Sequence, residues 1–162
     1  MKKLDNRGFT LAELVVVIAI MGILAGAASA SINQIFSNQT RKFVNECDAM
    51  LTRCRVETLS GAPSNTFVEF RLDDSDSKYY VAYYKGNVLV EEERLKTNSV
   101  SCTYCIAGGA PVPFDDDGES LRISYSRTTG AMDEHGTQYT EIAVGNSKIT
   151  LVPATGYHEV GG

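Results

Sequence analysis

Phe9 to Ala28 is an apolar run of 20 residues, Phe-Thr-Leu-Ala-Glu-Leu-Val-Val-Val-Ile-Ala-Ile-Met-Gly-Ile-Leu-Ala-Gly-Ala-Ala, interrupted by one carboxylate, Glu13. About 20 apolar residues is the length a helix needs to cross a bilayer core. The eight residues before it, Met-Lys-Lys-Leu-Asp-Asn-Arg-Gly, are short and basic. Positive flanks stay on the cytoplasmic side, so the rest of the chain is expected outside. Glu13 does not fit a plain anchor, because a carboxylate at the centre of a membrane helix costs about 2.5–3.5 kcal/mol on insertion scales. Such a group calls for a partner. A cut between Gly8 and Phe9 would create one, the amine of Phe9, about one helical turn from Glu13. In an assembly, the amine of one subunit could instead meet Glu13 of the next.

The segment Arg7-Gly8-Phe9-Thr10-Leu11-Ala12-Glu13-Leu14, followed at once by an apolar helix, resembles the class III signal of type IV prepilins and type II secretion pseudopilins. The resemblance covers about the first 30 residues. It implies cleavage after Gly8 by a prepilin peptidase, N-methylation of Phe9, and a role for Glu13 in docking subunits into a filament. The implied partners are other pilin subunits, the peptidase, the filament assembly machinery and the membrane. The implied location is the bacterial cell membrane, with the N terminus cytoplasmic, and an extracellular or periplasmic filament. Many relatives carry a proline late in the apolar segment; here Ala28-Ser29-Ala30-Ser31 stands there, and Gly22 and Gly26 are the weak points of the helix.

Two plainer readings compete. Ala28-Ser29-Ala30 also resembles the A-x-A site of an ordinary secretory signal, which would release a soluble binding module near Ala30. The apolar run, however, exceeds the 7–15 residues of such a signal core, and Glu13 sits inside it. A simple uncleaved anchor explains the length but not Glu13.

Beyond the run, Ile32, Ile35, Phe36, Phe43, Cys47, Met50, Leu51 and Cys54 recur at three- and four-residue spacing. Ser60-Gly61-Ala62-Pro63 is a stop signal. A helix from about Phe9 to Leu59 is therefore predicted. After Pro63 the period changes to two. Strands are predicted over Thr66–Leu72, Lys78–Tyr84, Val88–Val90, Ser99–Ile106, Leu121–Arg127, Tyr139–Val144 and Lys148–Val152, with turns at Gly86-Asn87 and Gly145-Asn146. The expected fold is α+β: a long N-terminal helix, half membrane-type and half amphipathic, packed on an antiparallel β-sandwich. Four segments follow: a leader (1–8), a transmembrane or filament-core helix (9–31), an amphipathic helix (32–60) and a β-rich pilin-like domain (61–162). The later stretches Leu121–Gly130, Ile142–Gly145 and Ile149–Gly156 resemble minor pilins of the GspH/FimT type, which pair such a helix with two antiparallel sheets.

The four cysteines leave several readings open. Cys47 and Cys54 are seven residues apart on one helix face, about 10 Å, too far to bridge each other. Disulfides from that pair to Cys102 and Cys105 would staple helix to sheet in an oxidising compartment. A local Cys102–Cys105 bridge and buried free thiols are the alternatives. Zinc binding is disfavoured by the long separation of the first two. Asp73–Asp76 and Asp115–Glu119 lack the spacing of a calcium loop and read as solvated turns. Glu91-Glu92-Glu93 reads as an exposed face or strand end.

His135 and His158 pair with no nucleophile, no serine stands in a G-x-S-x-G context, and no phosphate-binding glycine loop occurs. No enzyme, cofactor or metal is expected. The formal net charge of −5 becomes −7 without Lys2, Lys3, Asp5 and Arg7. With no basic stripe, nucleic acid is not an expected partner.

Overall fold

The computed structural model describes residues 10–97, 100–114, 120–133 and 138–161, with the side chains of residues 28–33 left out. The expected Phe9 start and the acidic cluster Asp115–Glu119 lie outside the described residues. The chain divides into two compact units, Met1–Ser37 and Asn38–Gly162. The fold is α+β, with one helix, α1 (Leu11–Leu59), and nine strands among the described residues.

In the first unit, the large apolar side chains at the start of α1 stand exposed. Leu11, Leu14, Val15, Val16, Val17, Ile18, Ile20, Met21, Ile23 and Leu24 are all exposed, Leu11 to 80%. A row of this size needs a cover, and none of the described residues supplies one. Among the described residues no helix is long and apolar enough to cross a membrane. The stretch with described side chains, residues 11–27, spans 17 residues and stops short of the run's end at Ala28.

In the second unit, α1 buries Phe43, Val44, Cys47, Met50, Leu51 and Cys54. All but Val44 are later positions of the predicted stripe; Ile35, in the first unit, is 53% exposed. The helix ends as the sequence predicts. Gly61 adopts φ +93°, its N–H donates to Thr58 O (3.1 Å), and the Ala62 N–H donates to Glu57 O (2.9 Å). This is a Schellman motif, which only a residue tolerant of left-handed backbone closes cheaply.

The strands are β1 (Phe67–Asp73), β2 (Lys78–Lys85), β3 (Val88–Arg94), β4 (Cys102–Ile106), β5 (Pro111–Pro113), β6 (Leu121–Ser124), β7 (Tyr139–Val144), β8 (Ser147–Val152) and β9 (Tyr157–Gly161). They form two antiparallel sheets, ordered β3-β2-β1-β6 and β5-β4-β7-β8-β9. Gly86 and Asn87 both have positive φ, 60° and 66°, as a tight β2–β3 hairpin requires. One face of each sheet joins the helix stripe: Val68, Phe70, Val81, Tyr83, Leu121 and Ile123 from the first, Cys102, Ile142, Val144, Ile149 and Leu151 from the second.

Two strands were not predicted. β5 is three residues bounded by prolines at a sheet edge, and β9, Tyr-His-Glu-Val-Gly, lacks a clean alternation because its edge position leaves both faces partly open. β3 runs past the predicted Val90 to Arg94. The three carboxylates that looked like a strand end are each neutralised: Glu91 by Arg53 (3.0 Å), Glu92 by Arg71 (2.6 Å) and Glu93 by Lys42 (3.4 Å).

The expected disulfides are absent: all four cysteines are free. Cys47 and Cys102 are buried neighbours at the helix–sheet boundary. Cys102 and Cys105, three apart on a strand, point to opposite faces, which excludes a local bridge. Burial pushes the Cys47 thiol up, with Cys102 beside it as the second cause. Burial likewise pushes Cys54 and Cys102 up to about 12. Protonated, buried thiols are poor nucleophiles. Alkylation of the native protein should therefore modify Cys105 alone, and unfolding without reductant should expose all four thiols, counted by mass spectrometry.

Candidate processing and assembly segment

Helix α1 begins with a reciprocal cap. The Thr10 hydroxyl accepts from the Glu13 N–H (3.2 Å), and the Glu13 carboxylate accepts from the Thr10 N–H (2.8 Å) and the Thr10 hydroxyl (2.8 Å). The first intrahelical bond runs from Leu14 N to Thr10 O (3.2 Å). This is a capping box, with Thr10 as N-cap and Glu13 three residues on, and it satisfies two of the helix's orphan donors. Sequence reasoning gave Thr10 no role, although Thr-x-x-Glu before an apolar run is a legible cap signal. The carboxylate also lies at the positive end of the helix dipole. Glu13 thus has a local partner in a single chain. Gly8 and Phe9 lie outside the described residues, so the proposed amine partner does too.

The first acidic cluster, Asp73–Asp76, is spent on structure. Asp73 Oδ1 accepts from Ser75 N (3.0 Å) and Ser75 Oγ (2.5 Å), and Asp76 accepts from Lys78 N (3.0 Å) and the Tyr80 hydroxyl (2.8 Å). These contacts make the first acidic cluster a tight turn between β1 and β2. No group of metal-binding side chains occurs among the described residues. His158 Nε2 meets Thr52 Oγ1 (3.0 Å) and Asp48 Oδ1 (3.4 Å), tying β9 to α1. His135 lies outside the described residues. A cavity of about 650 Å³ opens beside β6, lined among others by Asn65, Phe67, Asn87, Arg122, Arg127 and Tyr139. Among the described residues its lining includes neither histidine nor cysteine.

Among the described residues, Glu57 gathers two cations and a tyrosine. It takes Lys85 (2.6 Å), Arg53 (2.9 Å) and the Tyr83 hydroxyl (3.0 Å). The Lys85 contact, then Arg53 and Tyr83, hold its carboxyl down at about 2 against an ordinary 4.5. A carboxyl depressed on folding stabilises the native state above its unfolded pKa and loses that contribution as pH falls to its folded one. Stability of the wild-type chain should therefore decline from about pH 4.5 towards about 2. Glu57→Gln should flatten that segment of the curve, measured by urea titration at stepped pH.

Residues 3–29 match the family model of the prokaryotic N-terminal methylation motif. The match is consistent with a type IV prepilin-like protein. No curated protein and no solved structure matches the chain.

Proposed function

We propose that this chain is the precursor of a structural subunit, a minor pilin or pseudopilin, of a type IV pilus-like or type II secretion-like filament. A prepilin peptidase cuts between Gly8 and Phe9, and the exposed apolar length of α1 then packs against the same segment of neighbouring subunits. The methylation motif over residues 3–29 carries this reading. The uncovered apolar side chains from Leu11 to Leu24 support it, because a filament core or a bilayer is the cover they require. Before assembly the helix holds the precursor in the cell membrane, its N terminus cytoplasmic. The subunit acts by binding other subunits and the assembly machinery, with no catalysis and no nucleic acid.

The rival reading, a soluble module released near Ala30, places a cleavage site where α1 runs unbroken through residues 28–30. Mass spectrometry of the mature protein decides. The expected N terminus is methylated Phe9; a start at Ser31, or a retained Met1, sinks the filament reading.

A further inference from the structure

The cavity beside β6 has the size of a small-molecule site. It holds about 650 Å³, and such sites occupy about 300–1,000 Å³. Its described walls come from the loop after α1, the tip of the β2–β3 hairpin, β6 and the start of β7. Sites for apolar ligands are lined mainly by hydrophobic side chains. Here Phe67 is already covered, by Tyr84 stacked at 4.8 Å and by the Arg122 guanidinium 4.9 Å from its ring. Hydroxyls and amides make up most of the remaining wall. The side chains of Ser64, Asn65, Asn87 and Ser124 spend no hydrogen bond on any described residue. Each is neutral, and each can both donate and accept.

The rim is held in place. The Asn87 N–H donates to Asn65 O (3.2 Å), and the Thr66 hydroxyl donates to Pro63 O (2.8 Å). Arg127 Nη2 donates to Ala62 O, which ties the segment after β6 to the end of α1. Among the described residues, three other than glycine have left-handed backbone, and two of them, Asn65 (φ +64°) and Asn87 (φ +66°), stand on this rim. The β2–β3 turn accounts for Asn87. Asn65 lies in no hairpin, and glycine would hold its backbone with less strain. An amide at a strained position, with no bond inside the chain, points to a ligand outside it.

Charge narrows the ligand further. On the described wall two guanidiniums stand against one carboxylate, Asp133. Arg122 is committed to Glu69 (2.9 Å). Arg127 has no carboxylate partner among the described residues. We propose that this cavity binds a short saccharide bearing a single carboxylate. Arg127 takes the carboxylate with its remaining N–H groups, in charge-assisted bonds. The sugar hydroxyls, which both donate and accept, meet the amides of Asn65 and Asn87 and the hydroxyls of Ser64 and Ser124. A phosphate fits less well: it brings nearly two negative charges to one uncommitted guanidinium, with Asp133 on the same wall. The inference goes beyond the filament reading and does not depend on it.

Calorimetric titration of the full chain in detergent micelles tests this. The probes are cellobiouronic acid (glucuronate linked to glucose) and cellobiose, which carries CH2OH in place of the carboxylate. The acid should bind saturably and at least about tenfold more tightly than cellobiose, the effect of one charge-assisted hydrogen bond. Arg127→Gln should erase that preference. Glycine holds left-handed backbone freely, so Asn65→Gly should keep the wild-type urea midpoint. It should weaken binding of the acid about fivefold, the effect of one neutral hydrogen bond. No saturable binding of the acid, equal affinity for the two sugars, or an affinity unmoved by either substitution overturns the inference. Each of those results leaves the N terminus of the mature protein, and with it the filament reading, untouched.

Discussion

Gly156→Ala should destabilise the protein by about 3–4 kcal/mol, a value at the severe end for a single methyl group. Gly156 sits at φ +67°, where a Cβ costs about 1–2 kcal/mol. The larger part is steric. A Cβ there would overlap the carbonyl oxygen of Gly130 and stand 3.1 Å from Arg55 Nε. Neither neighbour is free to yield. Arg55 Nε donates to Gly130 O (3.1 Å) while its Nη2 donates to Thr155 O (2.9 Å), so one guanidinium clamps both loops to α1. Met132 N donates to Pro153 O (2.9 Å), which fixes the same crossing from the other side. Gly108 provides the control, with φ +76° and, among the described residues beyond its chain neighbours, no atom within 4 Å of the place a methyl group would take. Gly108→Ala should cost only about 1–2 kcal/mol, the backbone strain alone. Urea titration of the three full-length chains reads the difference. Equal losses at the two glycines would show that the crossing relaxes and that the clamp is soft.

That crossing was invisible in the sequence. Gly130 and Gly156 each end a strand–glycine stretch in the sequence, and nothing local says that two glycines 26 residues apart meet at one carbonyl and one guanidinium. What was legible is whatever repeats or caps locally. The end of α1 was readable because Ser60-Gly61-Ala62-Pro63 is a local signal, and the structure closes it with the Gly61 motif. β1 and β8 were readable because Val68 and Phe70, and Ile149 and Leu151, alternate with polar neighbours over one buried face. β3 was cut short because its last residues are stabilised by cations on α1 and β1, from Lys42 to Arg71, far away in sequence. β9 was missed for a related reason. Its anchor, His158, reaches Thr52 across 106 residues, and no spacing rule registers such a pair. In the N-terminal segment the sequence pointed to Glu13 through its charge in an apolar run and through the prepilin-like motif. The structure adds the cap with Thr10, a plainer role that the same four letters had already spelled out.

The observed cap and the proposed pairing of Glu13 with the Phe9 amine separate by mutation. Glu13→Ala and Glu13→Gln should both cut filament yield by about a hundredfold or more, with Gln no better than Ala. A glutamine keeps the capping box, because its side-chain oxygen still accepts from the Thr10 N–H. An alanine forfeits that bond, worth about 1 kcal/mol at a helix start. If capping were the whole role, Gln would rescue assembly and Ala would weaken it only modestly. Pairing with the new amine of Phe9 demands the charge itself. Removing one partner of a desolvated ion pair costs about 3–5 kcal/mol, and about 3 kcal/mol is already a hundredfold in an association constant. Membrane insertion cannot account for such a loss, since deleting a carboxylate from an apolar helix makes insertion easier by about 2.5–3.5 kcal/mol. The measurement is sheared filament per cell, alongside the amount of mature subunit starting at Phe9. Normal filaments from Glu13→Gln would remove the charge from the mechanism and leave Glu13 as the helix cap.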